Sequence, residues 1–226
     1  VSIDMRGFRP NARIIRIIYS VGLPSIIMQS ITSVMTYGMN LILISFSATA
    51  VTVLGIYFKL QSFIFMPIFG LNNGMIPIIA YNYGSRSKKR IMDTAKLSIA
   101  IAIGIMLLGL VIFQVFTPQL LMLFNASDSL LEIGIPALRT ISLSFLFAGY
   151  CIITGSVFQA LGNGVYSLII SVARQLLCIL PLAYIFSHVW GLHAVWFAFP
   201  MAEIISTLLT SILFKRIYNK KIKVLE

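Results

Sequence analysis

The chain has 226 residues, 59% of them hydrophobic and 10% charged, with a net charge of +11 and a mean hydropathy of +0.97. An ordinary soluble domain is about 45–50% apolar, so these side chains exceed what a water-facing fold could bury, and the surplus must face lipid. That excludes a soluble nucleic-acid-binding domain despite the positive charge, because no folded soluble unit remains to present the cations.

Arg6, Arg9, Arg13 and Arg16 lead directly into apolar sequence, without the pattern of a cleavable signal peptide. Residues 1–16 are therefore expected to be a cytoplasmic lead-in, and Val1 in place of Met suggests a longer protein upstream. Six apolar segments follow, at 17–46, 52–81, 92–117, 132–161, 165–187 and 191–214. Each can supply the roughly 20 helical residues that cross a bilayer core. They lack the polar/apolar alternation of a membrane β-barrel. Pro24, Pro67, Pro77, Pro136, Pro181 and Pro200 are tolerable because membrane helices can satisfy freed carbonyls with neighbouring groups. The expected fold is all-α and polytopic: a transmembrane unit over 17–214 and a basic tail over 215–226.

The connections sort by charge. Arg86, Lys88, Lys89 and Arg90 follow the second segment, and Lys215, Arg216, Lys220, Lys221 and Lys223 follow the sixth. "SATAV" is neutral, "NASDSLLE" carries only acids, and "SHVWG" has one histidine. Cations recurring on one side predict that both ends of the chain are cytoplasmic. Thus "YNYGSRSKKR" is expected to end the second span and anchor a cytoplasmic loop, with no nucleic acid as partner.

Polar residues at membrane depth are the candidates for function. Lys59 and Arg139 each lie roughly 10 Å along their helices from the outer side, and Glu203 lies near 18 Å along the sixth span. Charges there are costly unless paired or wetted, so the three read either as a structural ion pair or as groups lining a substrate path. Charge balance favours Glu203 facing the interior and offsetting Lys59 or Arg139. Two deep cations against one deep carboxylate leave room for a second acid from outside the chain. Arg174, followed by Gln175, is expected to lie near the inner headgroups. Gln29, Gln61, Asn72, Asn73, Asn82, Gln159 and Gln175 can bridge helices or face a cavity. Asn72 and Asn73 stand out because "PIFGLNNGMIP" flanks them with glycine and proline, where a helix can bend beside a cavity. Cys151 and Cys178 read as buried, inert thiols. His188 and His193 read as interfacial. Neither a metal site nor a cofactor is expected, and the absence of paired carboxylates, a phosphate loop or a nucleophile–histidine pair argues against an enzyme. "ALGNGVYS" serves as the tight turn between the fourth and fifth spans.

Several stretches carry a family resemblance: "GLPSIIMQ", "YFKLQSFIFMPIFGLNNGMIPIIAYNYGSRSKKR", "PALRTISLSFLFAG", "SVFQALGNG" and "SVARQ". Together they resemble the multidrug and toxic compound extrusion (MATE) transporters, in their bacterial MepA-like branch. The resemblance implies one six-helix lobe, the second, of a twelve-helix protein, with an N-terminal lobe as partner and a bacterial cell membrane as location. It also implies alternating-access export of cationic or amphipathic compounds in exchange for H⁺ or Na⁺. The NorM branch carries a glutamate in the first helix of this lobe and an aspartate in the fourth. Here Gln29 stands in the first helix and the fourth has no intramembrane acid, so the coupling ion is expected mainly in the other lobe. On this reading Gln29, Lys59, Gln61, Asn72, Asn73, Arg139, Gln159 and Glu203 are the cavity-lining candidates. Two alternatives stay open. One is a lipid-linked sugar flippase of the same superfamily, with Lys59 and Arg139 holding pyrophosphate. The other is an inactive remnant or structural membrane partner.

Overall fold

A computed structural model describes residues 11–225. Arg6, Arg9 and the rest of 1–10 lie outside the described residues, as does Glu226. Among the described residues the fold is all-α, without a strand. The helices are α1 (Ala12–Ile44), α2 (Ala48–Gly84), α3 (Lys88–Val115), α4 (Thr117–Met122), α5 (Asp128–Ser142), α6 (Phe145–Ala160), α7 (Gly164–Val172), α8 (Leu180–Val189), α9 (Leu192–Val195) and α10 (Ala198–Ile217). Two π-helical segments, Ala173–Ile179 and Tyr218–Ile222, join α7 to α8 and extend α10. Among the described residues five helical stretches are long and apolar enough to cross a membrane, and six if α5 and α6 count as one bent span.

Side-chain caps set several starts. Asn11 accepts from the amides of Arg13 and Ile14 at the head of α1, Ser47 from Ala50 at α2, and Ser127 from Leu130 at α5. Gly162 ends the α6–α7 hairpin at φ 73°, a left-handed conformation that suits a residue without Cβ.

The fourth span departs from the continuous helix expected over 132–161. It bends by 50° between α5 and α6. At the bend the Leu143 amide reaches Thr140 O and leaves the Arg139 carbonyl outside the α-helical ladder. Gln114 of α3 takes over, its Nε2 donating to Arg139 O at 2.8 Å and to Ser142 Oγ at 2.9 Å. A polar side chain from a neighbouring helix thus satisfies the break, and Pro136 lies well before it. The fifth span is interrupted differently. Pro181 has no N–H to return to the Leu177 carbonyl, and the wide π-helical turn stands immediately before it.

α3 lies between α2 and α6. A Cβ on Gly149 would stand 3.2 Å from the Ala102 carbonyl, so glycine lets α6 approach the α3 backbone. Around this contact Phe113 meets Phe145 at 5.2 Å between ring centroids, Phe65 meets Phe145 at 5.5 Å, and Tyr57 meets Phe199 at 6.0 Å. Such tilted pairs add modestly to area burial. Phe63, Met66, Leu108, Leu208 and Ile212 point outward, as a lipid-facing surface requires. At the basic end the tail folds back: Lys221 Nζ donates to Leu161 O at 2.8 Å and sits 5.6 Å from the Tyr83 ring.

Candidate functional site

The π-helical segment Ala173–Ile179 packs against α10. This brings Arg174 to Glu203, with Nη1 3.2 Å from Oε2 and 3.4 Å from Oε1. Glu203 is buried, and the Arg174 side chain is 28% exposed. Glu203 therefore faces the bundle interior as expected, but its partner is neither Lys59 nor Arg139. Arg174, expected near the inner headgroups, is that partner and borders the interior cavities. The physical reason is helix face rather than depth. Wide π turns shift side-chain direction relative to a regular helix, and here one turns Arg174 inward. Lys59 is exposed, its amine 5.9 Å from the Phe124 ring. Arg139 is exposed near the end of α5.

Two adjoining cavities meet at this ion pair. The first, of about 420 Å³, is lined by Gln29, Asn72, Asn73, Gln159, Ser206 and Arg174, with further small residues from α6 and α7. The second, of about 340 Å³, is lined by Gln61, Arg174 and Glu203 together with Tyr57, Phe65 and Phe199. Gln29, Phe69, Ile152 and Arg174 belong to both. Six of the eight sequence candidates thus come together on these walls, while Lys59 and Arg139 line neither. A third hollow of about 610 Å³ lies between α1 and α8, around Leu41, Leu180 and Tyr184, and shares no residue with the other two.

The cavities differ in chemistry. The larger carries amides and hydroxyls, several with unused capacity. Asn72 Oδ1, Ser206 Oγ and Arg174 Nε are buried and have no hydrogen-bond partner among the described residues. Asn72 and Ser206 are 7% and 1% exposed. The smaller cavity is walled by aromatic rings with the carboxylate behind them. Gln175 is held aside, its Nε2 donating to Ser171 Oγ at 2.8 Å. Asn82 is engaged locally, donating to Ile78 O.

Sequence reasoning missed Arg174, Ser206 and the rings of Tyr57 and Phe199. A usable signal existed for the first. Counted from the basic end, Arg174 and Glu203 lie at comparable depths, whereas counting Glu203 from the opposite end matched it to the wrong cations. Cys151 is buried on the larger cavity, 3.3 Å from Thr207 Oγ1, but Cys178 is only partly buried, which corrects the expectation for that thiol. Among the described residues, no group of three His, Cys, Asp or Glu side chains could hold a metal ion.

Comparison with known proteins extends this picture. The multidrug export protein MepA of Staphylococcus haemolyticus is 25% identical over 220 residues, covering 97% of this chain and 48% of that protein. A multidrug resistance MATE family transporter of the MOP superfamily, solved in an outward-facing conformation, superposes with a TM-score of 0.89 at 26% identity, covering 99% of this chain and 51% of that one. An inward-facing structure so described gives 0.88 at 25% identity, with coverage of 100% and 53%. The chain spans about half the length of the curated relatives it matches. The MatE family model matches residues 24–185, which take in the greater part of α1 together with α2, α6 and the π-helical segment around the cavities, and the chain belongs to that family.

Proposed function

We propose that the chain works as one six-helix lobe of a secondary active exporter, which moves cationic or amphipathic drugs out of a bacterial cell in exchange for H⁺ or Na⁺. The observation that carries this reading is the pair of adjoining cavities, one aromatic and one polar, on a chain half the length of its multidrug-exporting relatives. Aromatic rings with a few placed polar groups suit amphipathic ligands. A single lobe supplies one wall of such a path, and a second six-helix lobe supplies the other. Similar superposition on an outward-facing and an inward-facing relative supports a lobe that moves as a rigid body.

Gln29, a neutral amide, borders both cavities, and the carboxylate on their walls, Glu203, is already paired with Arg174, which supports a coupling ion held mainly by the other lobe. The cation asymmetry supports a cell-membrane protein with both ends of the chain in the cytoplasm. A lipid-linked sugar flippase would need Lys59 and Arg139 beside the substrate path, and neither lines the two central cavities. Reconstitution tests the proposal. The purified chain alone in proteoliposomes is expected to support no ion-driven efflux of a cationic dye, and co-reconstitution with an N-terminal lobe is expected to restore it. Efflux by the chain alone would overturn the half-transporter reading.

A further inference from the structure

Two helix ends on the basic side of the lobe close with the same hydrogen-bond pattern but different residues. After α6 the Asn163 amide donates to Phe158 O and the Gly162 amide to Gln159 O, with Gly162 at φ 73°. After α2 the Ser87 amide donates to Asn82 O and the Arg86 amide to Tyr83 O, with Arg86 at φ 58°. Such a turn is built around one left-handed residue, a position that suits glycine and that disfavours any side chain with a Cβ. Arg86 is exposed, and among the described residues it makes no ion pair that would offset this strain.

The C-terminal segment brings further cations to the same turn. Lys88 Nζ lies 5.9 Å from the Tyr218 ring centroid, and Lys221 Nζ lies 5.6 Å from that of Tyr83 and donates to Leu161 O. These two contacts cross one seam in opposite directions, between the α2–α3 turn and Tyr218–Ile222. Lys88 and Lys221 are thereby engaged. Arg86, Lys89, Arg90, Lys220 and Lys223 stand beside them in the chain and are exposed. The acid nearest in sequence, Asp93, is exposed early in α3 and forms no ion pair among the described residues. Like charges held together raise the local potential and favour an anion at a membrane surface. Tyr81, Leu97 and Val224 face outward at this end of the lobe, which suits an anion that carries apolar chains.

We propose that the seam between the α2–α3 turn and the C-terminal segment is a headgroup site for an anionic phospholipid, with Arg86 of the turn and Lys220 of the tail binding its phosphate. The complementarity is one of charge, and the long cationic side chains can reach a phosphate while their stems lie on apolar surface. A lipid so held ties the turn to the tail. The site is separate from the central cavities and does not depend on what they bind.

Native mass spectrometry of the full chain in detergent tests it with dioleoyl phosphatidylglycerol and dioleoyl phosphatidylcholine, which differ only in the headgroup. The first molecule of the anionic lipid is expected to bind about tenfold more tightly than the first of the zwitterionic one. Arg86→Gly is expected to weaken phosphatidylglycerol about fivefold, the scale of one cation at a membrane surface, and to leave phosphatidylcholine unchanged. Because glycine suits the left-handed position, the melting temperature of this variant in neutral detergent should stay level or rise. Lys220→Gln is expected to weaken phosphatidylglycerol to a similar degree. Arg13→Gln, which removes the same charge from the head of α1, is expected to have no effect. Soluble glycerol phosphate is expected not to compete. Equal affinity for the two lipids would overturn the proposal. So would an equal loss from Arg13→Gln, which would mark diffuse attraction in place of a site. Competition by glycerol phosphate would overturn the lipid as ligand in favour of a soluble phosphate compound. A lowered melting temperature for Arg86→Gly with unchanged lipid binding would show that the arginine serves the fold alone.

Discussion

Lys59 and Arg139 on one side, and Arg174 on the other, are all cations within apolar helices, yet they occupy unlike regions. The first two are exposed, one beside the Phe124 ring and the other near the end of α5. Arg174 projects inward from a π-helical turn, meets a buried carboxylate and borders both central cavities. The difference teaches that depth along a helix does not decide a charge's role. The face it occupies does, and irregular backbone can choose that face.

The sharpest way to break the comparison is to remove one partner of the central pair. Arg174→Gln or Glu203→Gln alone leaves a charge without its counter-ion. Breaking a buried pair costs about 3–5 kcal/mol, and the partial exposure of Arg174 moves the expectation to the low end. Folded yield in detergent should fall sharply for either single variant and recover largely in the double one. Additive losses would show that the two side chains do not depend on each other.

The bend between α5 and α6 gives a smaller effect. Gln114→Ala would remove one of two side-chain donors to the Arg139 carbonyl, since Ser142 Oγ also donates to it at 2.9 Å, at about 0.5–1.5 kcal/mol. A slightly lowered melting temperature is expected, and an unchanged one would mean that Ser142 and solvent suffice at the break. Smallest of all should be Lys59→Ala and Arg139→Ala, because both side chains are exposed and off the cavities. Neither should change folded yield or dye binding measurably, and a loss of binding at either would return it to the site.

These contrasts mark what could be read before the fold was known. The spans were legible because hydropathy and the recurrence of cations at alternate connections depend on composition alone. The glycine- and proline-flanked Asn72 and Asn73 were legible as cavity candidates for a similar reason. The bend at Leu143 and Ser144 was not, because its cause is Gln114 arriving from α3 rather than a proline at the break. The Arg174–Glu203 contact was hidden because it needs the packing of the π-helical segment on α10. Charge balance correctly required a partner for Glu203, and depth counted from the basic end favoured Arg174, but packing alone fixed the contact.

The assignment of the substrate site to the inner cavities, rather than to the outer cations, is tested most directly by ligand protection of single cysteines. In a Cys151→Ser/Cys178→Ser background, one chain carries Asn73→Cys on the polar cavity and another carries Lys59→Cys off it. Both positions are exposed and open to a thiol reagent. With the chain in lipid nanodiscs, a cationic amphipathic dye should slow labelling at position 73 several-fold and leave position 59 unchanged. Protection at position 59 with none at position 73 would contradict the assignment.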